Sequence, residues 1–516
     1  MCLRPTEPVP TTRTQGGLVS TAAGTASDMG AEMAGRRQDG SGGIVVSIGL
    51  CFSRPPRNCL MSRRFSPGTG WWLIYVVYRM VWVLGLPAAL AWLWHRGRRE
   101  PGYRQHWAER FGHVDQRQDR PVWVHAASLG EIRGAAPLLR ELCGQGLAVR
   151  LTTLTPAGRM AARSLFAQEC SAGRLEVVYA PVELATCVRR FIARTRPRCA
   201  VMMENDLWPV MLVEAQRWGL PLAMANAQYS QRSQQRDERW FGFRSRLFAI
   251  YDLVIAKSQR QADRFKALGA DQVRVGGEIR FDLPVPGGQL EAAAALVQRW
   301  GLGPGGRPTL TVASAVEGEE ALWLGLLGAL RSRHAAQGLA APLFVVVPRS
   351  PSRFDAWASL LQDQGWRVAR RSQRLDATLQ PIEHSTSDGN LADAEVLLGD
   401  SLGEMFFYLA LADAVAVGGS FLPSGSHNVI EPLSLGKPVV VGPVTWTIEF
   451  PAEEALAAKV LHRVSDPAEM VEPLMGWMNG LGDAQAARRA ALAFAAQHSG
   501  ASNKHLRLLL DWMAGR

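Results

Sequence analysis

Residues 125–134, HAASLGEIRG, follow an apolar run of Val122, Trp123 and Val124 and carry a serine and a glutamate three residues apart. Ser128 suits a helix N-cap, and Glu131 suits the reciprocal partner of a capping box. A glutamate on a strand-to-helix loop at the carboxyl edge of a parallel sheet also lies where ligands bind, and there it could serve as a general base. Spacing leaves both readings open. Three more loops end predicted strands in the same way. MMENDLWP puts Glu204 at a strand end, with Asn205 and Asp206 set to begin a helix as cap and acidic first turn. VASAVEGEE closes a strand at Ser314 and is followed by Glu317. VVVPRSPSR sends Arg349 off a strand edge, either as a solvated loop residue or as a planar fork for a phosphate.

The richest loop is ADAVAVGGSFLPSGSHNVIEPLSLGKPVVVGP. Gly418, Gly419 and Ser420 let a backbone with free N–H groups approach a ligand closely. His427 and Asn428 precede a short helix from about Val429, whose start would present N–H donors and a positive dipole end to a phosphate. Glu431, one turn in, could accept both hydroxyls of a ribose. Gly-Gly-Ser, His-Asn and Glu-Pro at this spacing together point to a nucleotide site. The chain has no P-loop, no H-E-x-x-H, no G-x-S-x-G elbow and no Rossmann fingerprint after a strand. It also lacks an Asp-x-Asp pair of the kind that holds a metal on a sugar-nucleotide diphosphate. A metal-independent transferase with no cofactor is therefore expected, its leaving group met by Arg349 and helix dipoles.

Positioning these loops requires two doubly wound α/β domains. Seven apolar runs between residues 122 and 282 alternate with amphipathic helical segments, which implies a parallel sheet covered on both faces. LPVPGGQ breaks the pattern as a linker, and six further runs build a second sheet. The boundaries read as 100–285 for an acceptor-binding Rossmann-like domain and 286–516 for a nucleotide-binding one, with closing helices that pack back across the junction. Two such domains facing each other put both sets of carboxyl-edge loops into one cleft.

Residues 67–99 read as a membrane anchor. The stretch 71–94 is long enough for a hydrocarbon core of roughly 30 Å, with Trp71, Trp72, Trp92 and Trp94 as interfacial belts. Arg79 and Pro87 interrupt it, so a spanning helix and a half-inserted one both remain open. Arg96, Arg98 and Arg99 outnumber Arg63 and Arg64, which favours the large domains lying on the cytoplasmic side. Residues 1–66 are rich in Gly, Ser, Thr and Ala and are expected to be disordered; they lack a secretory signal, and a true start at Met61 fits the contrast. A net charge of +11 suits an anionic partner, but no basic block interleaved with aromatics marks a nucleic-acid surface. Seven scattered cysteines form neither a disulfide framework nor a zinc site and fit a reducing compartment.

The loops together resemble the 3-deoxy-D-manno-octulosonic acid (Kdo) transferases, membrane-anchored enzymes of lipopolysaccharide assembly that use CMP-Kdo. The similarity starts at GRREPGYRQHWAERFG beside the anchor and runs to the end of the chain. It implies two facing Rossmann-like domains of the GT-B type, and an inverting transfer from CMP-Kdo to the lipid A precursor at the bacterial inner membrane. Glu131, in the S-x-G-E loop, inherits the role of general base. Glu204 of ENDLWP and Arg280 of IRFD, where lysine is more usual, inherit that of a transition-state-stabilising pair. CMP contacts are implied at Pro348 and Arg349, at Leu402, Gly403 and Glu404 of GDSLGEM, and at Asn428, Val429, Ile430 and Glu431. The chain departs from the family pattern at Ala315 and Val316 (Thr-His), Ser350 (His), Gln228 (Arg) and Glu278 (Asn). The rival readings are another two-domain sugar-nucleotide enzyme, such as a UDP-sugar transferase or epimerase, and a non-catalytic membrane-tethered paralogue.

Overall fold

The computed structural model describes residues 67–239, 241–303, 305–382, 393–481 and 484–516. The expectations for residues 1–66, disorder and a start at Met61 among them, lie outside the described residues. The first sheet contains β1 (Val122–His125), β2 (Val149–Thr153), β3 (Leu175–Tyr179), β4 (Cys199–Met203), β5 (Leu222–Ala227), β6 (Leu253–Ala256) and β7 (Val273–Val275), all parallel, in the order β3-β2-β1-β4-β5-β6-β7. The second contains β8 (Thr309–Ala315), β9 (Leu343–Pro348), β10 (Val368–Arg370), β11 (Val396–Leu398), β12 (Ala414–Val417), β13 (Val439–Val441) and β14 (Leu461–Arg463), also parallel, in the order β10-β11-β9-β8-β12-β13-β14. All seven expected strands of the first sheet and all six of the second are present. The addition is β14, a three-residue edge strand whose His462 and Arg463 are exposed, so it carries no continuous apolar run.

These runs are apolar on both faces because each sheet is covered on both. In β1, Trp123 enters one layer with Phe191 and Met202, while Val122 and Val124 enter the opposite layer with Ile132 and Leu139. In each sheet the chain winds outward on one side of its first strand and later resumes on the other side. The resulting switch points lie between β1 and β4 and between β8 and β12, and loops diverging there leave a crevice for ligand.

The lobes are bound by chain as well as contacts. Ala484–His498 packs Ala491 and Phe494 under the second sheet, but the last helix, Ala501–Ala514, returns to the first, burying Leu506, Leu509 and Trp512 against Leu139 and Leu253. This end of the expected nucleotide-binding domain thus belongs physically to the first lobe. The Asp282 carboxylate accepts the N–H groups of Gly500 and Ser502, both at 2.6 Å, and so caps that helix from a distance. Arg264 also forms a two-pronged pair with Glu449 at 2.8 and 2.9 Å.

The helix Thr69–Arg96 is long and apolar enough, by length and composition, to cross a membrane, and it continues through Pro87. Its first turns dock on the first lobe. Trp71 stacks on Phe243 with ring centroids 5.1 Å apart and donates its indole N–H to the Phe243 carbonyl at 2.9 Å, while the Tyr78 hydroxyl reaches Glu183 at 3.1 Å. Trp71, expected in an interfacial belt, is instead buried, because an aromatic wall and a carbonyl acceptor satisfy both ends of its ring. Leu73, Val77, Val81, Leu84, Trp92 and Trp94 remain exposed.

Asp282→Ala removes the cap that fixes the last helix to the first lobe. It is expected to lower unfolding stability by about 1 kcal/mol, read from denaturant or thermal melts; an unchanged midpoint would mean that the cap is dispensable.

Candidate active site

The helix Leu129–Gly144 starts directly after β1, and its N-cap Ser128 accepts the Glu131 N–H at 3.4 Å. The reciprocal half of the box is made by the carboxylate. Glu131 Oε1 accepts the Ser128 hydroxyl at 2.8 Å, and Oε2 accepts the Ala127 N–H, also at 2.8 Å. The bonds that close the helix end also hold the carboxylate at the β1–β4 switch point. Burial, then the neighbouring carboxyls of Asp206 and Glu204, push Glu131 well above the usual carboxylate range, against the Ser128 hydrogen bond.

Asp206 does not cap a helix. The helix Pro209–Arg217 begins three residues later and takes its cap from Glu183, which accepts the Val210 and Met211 N–H groups at 2.9 Å each. Asp206 turns instead toward Glu131, whose carboxyl it approaches within hydrogen-bonding reach, and burial raises it too. Behind it stands His125 Nε2, 3.5 Å from Asp206 Oδ2; burial drives this histidine down to about 4, leaving it neutral at neutral pH. Sequence reading gave Asp206 only a place at a helix start and gave His125 no role, although Asp206 lies in the same ENDLWP stretch as Glu204.

Glu204 ends β4 in a left-handed conformation, with φ of 56°. Its Oε1 is 2.5 Å from Arg280 Nη2 and 4.0 Å from Lys257 Nζ. Arg280 lies on the short 3-10 turn Ile279–Asp282, whose cap, Glu278, accepts the Arg280 N–H at 3.3 Å. Lys257 is buried, pairs with Glu278 at 2.6 Å and donates to Gln228 Oε1 at 3.0 Å. Two positions at which the chain departs from the family pattern, Gln228 and Glu278, thus meet on one lysine. Burial works to raise Glu278, but Lys257 and Arg280 hold it below the usual range.

Arg280 links the lobes electrostatically. Against the lowering effect of burial, Glu204, Glu278, Glu131 and Glu431 raise it, and Glu431 belongs to the second lobe. Burial in turn raises Glu431, opposed by Asn428, Arg280, Arg133 and Arg349. Pro348 ends β9 in the core; Arg349 follows it, anchored through its N–H to the Ala315 carbonyl at 2.8 Å, with its exposed guanidinium near Glu431 and His427. Burial, then Arg349, lowers His427 to about 4.

Several expected ligand contacts are occupied within the protein. The Gly419 N–H, expected to be free, donates to the Glu319 carboxylate at 2.8 Å, and Phe421 N–H reaches the same group at 3.4 Å. Ser420 is buried, donating to the Val417 carbonyl at 2.9 Å and accepting from Gly442 N–H at 2.8 Å. Gly418 is needed because a Cβ there would stand 2.2 Å from the Ser314 carbonyl oxygen. The acid of VASAVEGEE that matters here is thus Glu319; Glu317 is exposed and pairs with Arg353 at 3.4 Å. Glu404 is gripped by Arg371 through two 2.6 Å bonds, whereas Leu402 and Gly403 are exposed. Asn428 Oδ1 accepts the Ile430 N–H at 2.9 Å and caps the helix Ile430–Ser434, with Val429 and Ile430 buried. The structure therefore brings Glu131, Glu204 and Arg280 together with Glu431 and Arg349 in electrostatic reach, while Gly419 N–H, Ser420 and the Glu404 carboxylate are hydrogen-bonded within the protein.

Two all-parallel sheets with active loops at both switch points define the GT-B class of folds. The UDP complex of Anabaena Alr3699/HepE has the same fold, at 14% identity and a TM-score of 0.51 over 77% of this chain and 100% of that one. A family described as 3-deoxy-D-manno-octulosonic-acid transferase (kdotransferase) matches residues 105–283. A 3-deoxy-D-manno-octulosonic acid transferase of Bordetella pertussis is 37% identical over 433 residues, 83% of this chain and 96% of that protein. One from Haemophilus influenzae is 29% identical over 68% of this chain and 78% of its own length. The chain belongs to the Kdo transferase family of glycosyltransferases.

The role of base expected of Glu131 needs its carboxyl deprotonated, so with Glu131 raised, kcat/KM is expected to fall with decreasing pH along a limb lying above the ordinary glutamate value of about 4.3. Asp206→Asn removes a negative neighbour and is expected to move that limb to lower pH. A limb that stays in place would separate Asp206 from the titration of Glu131.

Proposed function

We propose that this protein transfers Kdo from CMP-Kdo to the lipid A precursor, with inversion and without a metal, at the cytoplasmic face of the bacterial inner membrane. The observation that carries the reading is the Glu131 carboxylate, held by Ala127 N–H and Ser128 Oγ beside the Glu204–Arg280 pair and opposite the second lobe's Arg349 and Glu431. Glu131 removes the proton of the acceptor hydroxyl while its oxygen bonds to C2 of Kdo. The bond from C2 to the phosphate oxygen breaks, and CMP leaves with the electron pair. Positive charge developing on the sugar ring faces the carboxylates of Glu204 and Glu131. The departing phosphate is met by Arg349, whose side chain makes no hydrogen bond or ion pair among the described residues and is open to an anion. Arg280, already paired, sets the orientation of Glu204 and offsets part of the acidic charge that would otherwise repel a doubly anionic donor.

The helix Thr69–Arg96 supports an acceptor delivered from a membrane, and the arginines that follow it support the cytoplasmic side. The positive net charge of +11 is consistent with a phosphorylated acceptor.

Glu131→Gln is expected to retain CMP binding by calorimetry and to lower Kdo transfer to lipid A precursor by about a hundredfold or more, measured by mass analysis of the product. Undiminished turnover in the variant would remove Glu131 from the mechanism. In the same titration CMP is expected to bind in preference to UDP; the reverse order would favour a UDP-sugar enzyme.

A further inference from the structure

A cavity of about 850 Å³ lies between the first turns of the N-terminal helix and the first lobe. One wall is the helix itself, through Leu73, Ile74 and Val77; the other includes Trp208, Phe241 and Phe243. Leu73 and Val77 are 67% and 52% exposed, so this wall is continuous with the helix surface that would face hydrocarbon. Asp206, the neighbour of Glu131, also lines the cavity, together with the charged Arg236, Asp237 and Arg244. The cavity therefore joins an apolar helix surface to polar residues beside Glu131.

The polar lining carries a second signal. Two residues that line the cavity hold buried polar atoms, the donor Trp208 Nε1 and the acceptor Asn205 Oδ1, without a hydrogen-bond partner among the described residues. A buried polar atom left unpaired is costly, and such atoms mark a missing partner. A purely apolar occupant would leave both unmatched, and water alone has little to hold it along the apolar walls. An acyl chain lying along Leu73 and Val77, with an amide linkage beside Asn205 and Trp208, offers both partners: the linkage carbonyl accepts from the indole, and its N–H donates to the Asn205 oxygen.

We propose that this cavity binds an acyl chain of the lipid acceptor and thereby aligns the acceptor hydroxyl with Glu131. The proposal rests on the transfer reading above and adds to it a residue-level acceptor subsite in which the N-terminal helix forms part of the binding wall as well as the anchor.

Val77→Trp and Leu73→Trp fill the cavity from the helix side while keeping the helix apolar. The test compares kcat/KM for the acylated acceptor with that for the same acceptor stripped of its acyl chains, using full-length enzyme in one detergent. Both variants are expected to lower the acylated-to-deacylated ratio by about tenfold or more, since several methylenes lose their burial. An unchanged ratio in both variants, whether from equal losses or from no loss, would overturn the proposal, as would a bilayer phospholipid proving to be the occupant, because its displacement acts on both acceptors alike. Wild-type enzyme that transfers Kdo to neither acceptor would instead remove the transfer reading, and this proposal with it.

Discussion

Everything in the first lobe's cleft depends on how one carboxylate is held. The Ala127 N–H and the Ser128 hydroxyl fix Glu131 at a helix start, where the dipole favours its charge, while burial and the adjacent Asp206 and Glu204 disfavour it. Four carboxyl groups, Glu131, Glu204, Asp206 and Glu278, face two cations, Lys257 and Arg280. Burial and this excess of acid raise Glu131, and Arg280 offsets part of the excess through its pair with Glu204. A carboxylate raised and held in this way has the properties that the proposed proton removal from a weakly acidic hydroxyl requires.

The fold supplies this arrangement by placing strain and loops at the same edge. Glu204, Asn226 and Ser314, at or near the carboxyl ends of β4, β5 and β8, all adopt left-handed backbone conformations that cost of the order of 1–3 kcal/mol each in non-glycine residues. Each is held by surrounding bonds. Asn226, for example, donates its N–H to His505 of the last helix, its amide to Glu278, and accepts the Ile279 N–H. The C-terminal helix, by returning to the first lobe, thus fixes the segment that carries Arg280. Lobe connection and site geometry are one network.

Much of this was legible in the sequence because the strands are apolar on both faces and so read as continuous runs, and because strand ends in such folds carry the chemistry. Ser128 and Glu131 were recognisable as a capping box, and the structure contains its bonds. What escaped was side-chain traffic between loops distant in sequence. Nothing local reveals that Glu319 satisfies the Gly419 N–H, that Arg371 takes Glu404, or that Glu183 caps the helix at Pro209 and leaves Asp206 to Glu131. Trp71 was misplaced for the same reason: composition shows an aromatic at a helix end, and only the fold provides Phe243 for it to lie against.

The central claim is that the two carboxyl edges form one site, with acid on the first lobe and a phosphate cradle on the second. The most direct measurement is an experimental structure of the full chain with CMP bound. The phosphate is predicted to contact the Arg349 guanidinium and to face the Glu131 carboxylate across the cleft, with the nucleoside against Gly403 and the Asn428–Glu431 turn. A nucleotide seated away from Arg349, or on the opposite side of the second sheet from Glu131, would contradict the account.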